Sequence, residues 1–582
     1  MNVLVKRKIQ GNWEILLLLL LPVLLLPISQ TWIFNPNGTI DPWVYFGYFI
    51  RLKQYLIAFP DAYYGSRSSW ILPGYLAYSL FPPLVANYIL HLGFYYIAII
   101  SLYLVLKPSV GRRAAFLASA FMGCYTFFLL AIGWDYVDGA GITYFLLTVL
   151  MLSWAARKKS WSTWMFLSGA FFGALIYTNF VWLAFAPALI TYYFLINRPH
   201  QTRKTSISVA ASVVGILTIT LFLCVVNYAM AGRFFFFMPS VNYISNHGNH
   251  QSPWRFDWYD GSLLRATWLI LPTIVLLVTI ALLAGSKFRK SFEQTNIHLQ
   301  VPFVMSCLGM MFLTVKGLPG LHHPYYASYL IPSMFLAIGA PLKSLATLSN
   351  RSFAAVGSLS LILIIFPLID TFWWSSDQPI ILCCLFLTAT VFSIASSFNQ
   401  KKVARVLAIL LFTVSVSISF AQGWNPNQSV KQLQSNALNS KASIDSHLTV
   451  SGVQKLFRDI DPTVRLFFWY SSKELEVYRS ISSASLWGYR FISEDFPGLQ
   501  GYGTPDNTPL SSERLSYLKR HFTITSSKIA IFSQQKDVLQ QAINSLKPVG
   551  FTAKSIATYP IKQDTIAFTI TIIEVSKLKD PP

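Results

Sequence analysis

The chain has 582 residues, 54% of them hydrophobic and 12% charged, with a mean hydropathy of +0.49. An ordinary soluble enzyme is excluded, because the apolar residues gather in runs of about 17–24, long enough to cross a bilayer. The net charge of +22 does not call for a nucleic-acid partner, because its distribution follows the positive-inside rule.

The first apolar run, near 15–34, follows Lys6-Arg7-Lys8. It is too long for a cleaved signal peptide and has no small-residue cleavage site, so a retained signal anchor is expected. Further runs near 84–106, 114–133, 139–156, 162–178, 180–196, 205–229, 263–285, 300–316, 325–341, 353–372, 379–396 and 403–421 bring the expected count to about thirteen transmembrane helices. Only Thr178-Asn179 separates the fifth from the sixth. With the N-terminus inside, the clusters around Lys107/Arg112/Arg113, Arg157-Lys158-Lys159, Arg198/Arg203/Lys204, Lys287/Arg289/Lys290, Lys343/Arg351 and Lys401-Lys402/Arg405 all fall on the cytoplasmic side. Those loops hold about 20 basic and about 2 acidic residues, against about 7 and 8 in the opposite loops. An odd number of spans leaves the C-terminus outside.

Three outer loops stand out. In the first, 35–83, residues 42–58 with Trp43, Tyr45, Phe46, Tyr48 and Phe49 predict an amphipathic helix lying in the membrane interface. A short aromatic segment, 70–81, follows Tyr64-Gly65-Ser66-Arg67. The second loop, 230–262, carries Asn246-His247-Gly248-Asn249-His250 and Arg255, and the third runs from Lys316 through His322-His323 to Tyr326. From about Asn425 the composition turns polar, with strands expected at 463–470 and 528–533 and helices at 511–521 and 537–546. A hairpin of 551–559 and 565–575 completes a small α/β domain. The expected fold is therefore a polytopic α-helical transmembrane domain, 1–424, and a soluble extracytoplasmic α/β domain, 425–582. All five Cys fall within spans and none is spaced as a metal site, so no disulfide holds the tail.

The outer-face acids gather at span ends: Asp41, Asp61, Asp135, Asp138, Asp257 and Asp260. Asp41-Pro42 has two readings, a helix start with Asp at N-cap and Pro at N1, or a carboxylate placed to act on a lipid-borne substrate. Asp135 and Asp138, in the very short Gly133–Gly139 link, lie close to the lipid, where an ionisable group is a functional candidate by default. The structural alternative has Asp138 capping the fourth span and Asp135 solvated. Lys316 equally suits a snorkelling helix end, and the His247/His250 pair an ordinary polar loop.

Ile40-Asp41-Pro42-Trp43 just after the first span resembles the start of the first outer loop of oligosaccharyltransferase catalytic subunits, members of the GT-C superfamily of membrane glycosyltransferases. Tyr64-Gly65-Ser66-Arg67 with Pro73-Gly74 is similar to the second half of that loop. Lys316-Gly317-Leu318-Pro319 and Tyr329-Leu330-Ile331-Pro332 resemble the late loop of lipid A aminoarabinose transferases, and protein O-mannosyltransferases share the layout. The Trp-Trp-Asp acceptor motif of oligosaccharyltransferases is absent from the tail; Trp373-Trp374-Ser375-Ser376-Asp377 is spaced differently, so Asn glycosylation in sequons is not expected. The resemblance implies transfer of a sugar from a polyprenyl-phosphate donor to a glycan, lipid or protein acceptor at the outer face of a membrane, a bacterial inner membrane by the disulfide-free tail. It implies Asp41 as general base, with Asp138 and Asp135 orienting acceptor or metal. Lys316, His322, His323, Arg255 and Arg67 are the donor-phosphate candidates. A divalent ion, magnesium or manganese, at Asp41 and Asp138 is a further expectation. A transporter or flippase is the rival reading, disfavoured by the near absence of charge inside the spans and by the lack of repeat symmetry. A glycan ligase of another superfamily is the second rival.

Overall fold

The computed structural model describes residues 13–25, 40–133, 137–197, 202–247, 269–284, 297–318, 320–321 and 324–346, and in the tail 466–471, 503–504, 527–533, 539–540, 543–544, 546–547, 550–563 and 566–577. The last three expected spans, 353–421, and the expected helix at 511–521 lie outside them.

Helix α1, Trp13–Leu25, opens the bundle, followed by α2, Ile40–Ile50, and α3, Leu52–Ala58. A 3-10 turn, Tyr63–Ser66, leads through Arg67 into α4, Ser68–Leu80. The long α5, Pro83–Val110, starts with Pro at its first turn, where the missing N–H costs nothing. It ends at Gly111, whose φ of 89° suits a residue without a Cβ. Helices α6, Arg112–Cys124, and α7, Thr126–Gly133, meet at a bend of 61°. Then come α8, Asp138–Arg157, α9, Trp161–Ile176, a 3-10 segment, Phe180–Phe185, and α10, Ala186–Asn197. Next are α11, Thr202–Ala231, α12, Met238–His247, α13, Ile270–Ala284, and α14, Ile297–Val315. The short α15, Pro324–Ala327, passes through a 3-10 turn, Ser328–Leu330, into α16, Ile331–Ala346.

Among the described residues five helical segments are long and apolar enough to cross a membrane, or six with the bent α6–α7 pair. Shorter apolar helices lie at Trp13–Val23, Trp161–Ile176, Leu271–Ile280 and Ser328–Ala340, so the described part of each apolar run predicted before residue 347 is helical, the 114–133 run as the bent pair. Helix α8 carries Asp138 at one end and Arg157 at the other, about 30 Å apart at 1.5 Å per residue.

The predicted interfacial helix is corrected. Val44, Tyr45, Phe46, Tyr48 and Phe49 are all buried, at 5% exposure or less. The reason is that α2 is apolar around its whole circumference, and such a helix belongs in a core. Gly74 of α4 makes room for it: a Cβ there would lie 2.2 Å from the Phe49 ring. Phe49 also packs edge-on against Trp70, with ring centroids 5.3 Å apart. Only α3 keeps two faces, with Leu52, Tyr55 and Leu56 buried and Lys53 and Ile57 exposed.

In the tail, β1, Leu466–Ser471, β2, Gly503–Thr504, β3, Ser527–Ser533, β4, Phe551–Gln563, and β5, Ile566–Lys577, form one sheet in the order β2-β1-β3-β5-β4. The β1 pairings are parallel, while β3–β5 and the predicted β4–β5 hairpin are antiparallel. A register shift at Ser555/Ala557 bends β4. The described residues at 539–540, 543–544 and 546–547 are helical, where a helix was expected.

Candidate active site

A cavity of about 590 Å³ lies between the first outer loop, the break after α9, helix α12 and the end of α14. Its polar end is built on the 3-10 turn before α4. The Arg67 side chain reaches back under that turn and is 7% exposed. Its Nη1 donates to the Tyr45 hydroxyl at 2.6 Å, and its guanidinium carbon lies 4.8 Å from the Tyr63 ring centroid. Tyr63 is in turn stacked on Tyr64 at 4.2 Å and tilted against Tyr243 of α12 at 4.9 Å. The Ser66 hydroxyl donates to the Tyr63 carbonyl at 2.5 Å and pairs with the Ser240 hydroxyl, which pins α12 to the turn. The cation is thus held by aromatic faces and a hydroxyl, which fix its direction better than a flexible surface position would.

The opposite wall begins where α9 stops at Thr178-Asn179. Asn179 starts the following 3-10 segment, its Oδ1 accepting the Val181 N–H at 3.1 Å. Its Nδ2 donates to the Tyr329 hydroxyl at 3.0 Å. Tyr329 is fully buried and stacks on Trp182, centroids 4.4 Å apart and planes 13° apart. Apolar residues close the rest of the cavity, among them Phe180, Leu183, Val241, Ile244, Phe312 and Leu318. Leu183 and Phe312 are largely exposed on the outer surface as well, at 48% and 59%. The cavity therefore joins a buried polar end to an apolar side that faces the bundle exterior, a shape suited to an amphiphile with an anionic head.

Asp138, the first residue of α8, is fully buried. Neither carboxylate oxygen completes a hydrogen bond of ordinary geometry, and the polar groups acting on it are the Tyr329 hydroxyl and the Arg67 guanidinium. A bare buried carboxylate is costly, and the Tyr329 hydroxyl and the Arg67 charge offset part of that cost.

Two residues expected from sequence, Arg67 and Asp138, are therefore brought together. Lys316 is exposed just past α14, its Nζ 6.0 Å from the ring centroid of Phe312; Phe312 lines the cavity and Lys316 does not. The backbone of Asp41 lies in the first turn of α2, one turn before Tyr45. Asp135, Arg255, His322 and His323 lie outside the described residues, as do His250, Asp257 and Asp260. Asp61 stands apart on the surface, paired with Arg233 at 3.2 Å. Among the described residues no three His, Cys, Asp or Glu side chains gather as a metal site would. Sequence reasoning did not single out Ser240, used Ser66 and Tyr329 only as parts of motifs, and met Asn179 only as a break between two spans. The one available signal was Thr178-Asn179, two polar residues interrupting an apolar stretch.

Residues 74–227 match the sequence model of the family described as dolichyl-phosphate-mannose-protein mannosyltransferase. Among solved structures the chain is similar to ArnT from Cupriavidus metallidurans bound to undecaprenyl phosphate, with 13% identity and a TM-score of 0.47, over 94% of this chain and 97% of that one. It is also similar to the archaeal oligosaccharyltransferase AglB from Archaeoglobus fulgidus, in complex with an inhibitory peptide and a dolichol-phosphate. There the identity is 10% and the TM-score 0.40, over 94% of this chain and 71% of that one. No curated protein sequence matches the chain significantly. The mannosyltransferase match falls on helices α4 to α11, which contribute Asp138 and Asn179 to the site, in a chain with several helices apolar enough to cross a membrane.

Proposed function

We propose that the protein moves a sugar from a polyprenyl-phosphate donor to a hydroxyl-bearing glycan, lipid or protein acceptor at the extracytoplasmic membrane interface. The observation that carries this reading is the buried Arg67 guanidinium at the polar end of a cavity whose other side is apolar and turned outward. A lipid phosphate seats its charge on such a cation and its chain along such a wall.

In the reaction the acceptor oxygen attacks the anomeric carbon, the bond from that carbon to the phosphate oxygen breaks, and the lipid phosphate leaves with the electron pair. Asp41 takes the acceptor proton as general base. Its backbone lies four residues, about 6 Å along the helix axis, from Tyr45, the residue that holds Arg67. Base and phosphate-binding cation are thus carried from neighbouring points of one loop. Arg67 and Lys316 stabilise the departing phosphate, and Arg255, His322 and His323 complete that set. Asp138 and Asp135 orient the acceptor side. A divalent ion at Asp41 and Asp138 is a secondary proposal, supported by the two Asp138 oxygens that lack a hydrogen bond of ordinary geometry. Such an ion would add positive charge for the leaving group.

The positive-inside pattern puts the Arg157 end of α8 in the cytoplasm and the Asp138 end outside. The full count of thirteen spans, a C-terminal extracytoplasmic α/β domain and a bacterial inner-membrane location belong to the same proposal.

The test is transfer in lipid nanodiscs, with a panel of radiolabelled polyprenyl-phosphate sugars and a crude envelope extract as acceptor. Wild type is expected to transfer label and release lipid phosphate, and Asp41→Asn to do neither while still folding. No turnover with any donor, or equal turnover in both proteins, would put the transporter reading first.

A further inference from the structure

Resting on the transferase reading, the geometry points to Asn179 as a substrate-binding residue in the cavity, with Tyr329 as the positioning residue that aims it. Donor and acceptor counting carries the argument. The Asn179 Oδ1 is occupied by the Val181 N–H at 3.1 Å. That bond settles which way the amide faces, so the atom 3.0 Å from the Tyr329 oxygen is Nδ2, a donor. One of its two hydrogens goes to Tyr329. The other remains for the cavity that Asn179 lines. An acceptor-bearing headgroup there, a sugar hydroxyl or a phosphate oxygen, meets a pre-aimed N–H.

Tyr329 cannot serve as an adventitious partner for that amide. It accepts from Asn179, so its own hydrogen is left for a different acceptor, and the buried Asp138 carboxylate is a polar group that it acts on. Its ring is held flat against Trp182 at 4.4 Å. Trp182 is itself seated against α8 at Gly141: a Cβ at that position would lie 2.3 Å from the indole nitrogen. Gly141 follows Asp138 by three residues on the same helix, so the helix that supplies the acid also fixes the ring that fixes the tyrosine. The buried acid and the cavity-wall amide thus both act on one hydroxyl, that of Tyr329.

The test uses full-length protein in nanodiscs and measures two things on each variant: binding of undecaprenyl phosphate and of a polyprenyl-phosphate sugar, and steady-state transfer. Asn179→Asp keeps the oxygen that accepts from Val181 and removes the amide hydrogens. Tyr329→Phe keeps the stack on Trp182 and removes the hydroxyl. Asn179→Asp is expected to raise the donor KM about ten-fold, the loss of one well-aimed hydrogen bond to an anionic or polar headgroup. Tyr329→Phe should raise it several-fold, and should add little in the Asn179→Asp background, because both changes act through the same amide. Weakened binding of the bare lipid phosphate assigns the N–H to phosphate; weakened binding of the sugar-bearing lipid alone assigns it to the sugar. Asn179→Ser, which retains a capping oxygen, controls for folding and should share the KM effect. Unchanged KM in both single variants of an active protein overturns the inference and leaves the transferase reading standing, as does a fully additive double variant. An inactive, non-binding wild type overturns both.

Discussion

Arg67→Met tests whether the cation at the polar end of the cavity and the buried acid behind it form one electrostatic unit. Methionine keeps the length and most of the volume of the arginine while removing its charge and donors. Arg67 is 7% exposed; its guanidinium bonds Tyr45 at 2.6 Å and lies 4.8 Å from the Tyr63 centroid. The hydrogen bond contributes about 1 kcal/mol and the ring contact about 1–2 kcal/mol in a desolvated setting. Asp138 feels the Arg67 charge without making an ion pair with it, which adds about 1 kcal/mol. These contributions share one side chain and overlap, so a net loss of about 2–3 kcal/mol is expected. Asp138→Asn removes the acid that the cation acts on, so Arg67→Met/Asp138→Asn should regain about 1 kcal/mol relative to Arg67→Met alone. The assay is denaturant-induced and thermal unfolding of the four proteins in one detergent, followed by tryptophan fluorescence. A double variant no more stable than Arg67→Met would refute the coupling and reduce Asp138 to an acid with its own separate environment.

Four further outcomes are expected. Arg112→Ala breaks the two-pronged contact to Glu14, at 3.0 and 2.7 Å. Glu14 is buried, but Arg112 is 41% exposed, so water softens the loss to about 1–3 kcal/mol, read as a lower Tm. Gly215→Val should separate α9 from α11, since even a Cβ there would lie 2.0 Å from the Phe166 carbonyl oxygen; an unchanged Tm would contradict the packing. Asp61→Asn, in an exposed pair with Arg233, should move Tm by no more than about 1 °C. Chelation by EDTA tests the secondary proposal: transfer lost and then recovered with magnesium or manganese supports an ion at Asp41 and Asp138, whereas full activity in chelator rejects it.

The apolar runs were legible because the bilayer imposes a length and a composition on any helix that crosses it. For the same reason the boundaries at Pro83, Gly111 and Asp138 could be anticipated within a few residues. The β4–β5 hairpin followed from alternation and a short polar turn. Helix α2 was misplaced because its aromatic residues suit an interface as well as a core, and only Gly74 and the packing of Phe49 distinguish the two. Of the candidate site, Asp138 could be named because an isolated charge beside apolar spans attracts suspicion, and Arg67 through the motif it closes. Asn179 and Tyr329 could not, since a neutral amide and a tyrosine are unremarkable in a membrane sequence.

By itself, then, the sequence determined that this chain spans a membrane, which ends of its helices are basic, and which few charges lie near the lipid. Local composition and spacing carry all of that. The tertiary structure alone decided that Arg67, Asp138, Asn179 and Tyr329 come to one region, across separations of 41 to 262 residues in the chain. Such a meeting is set by which helix faces pack, through contacts as specific as Trp182 against Gly141, and hydrogen bonds between distant residues leave no period or local pattern in the sequence to read.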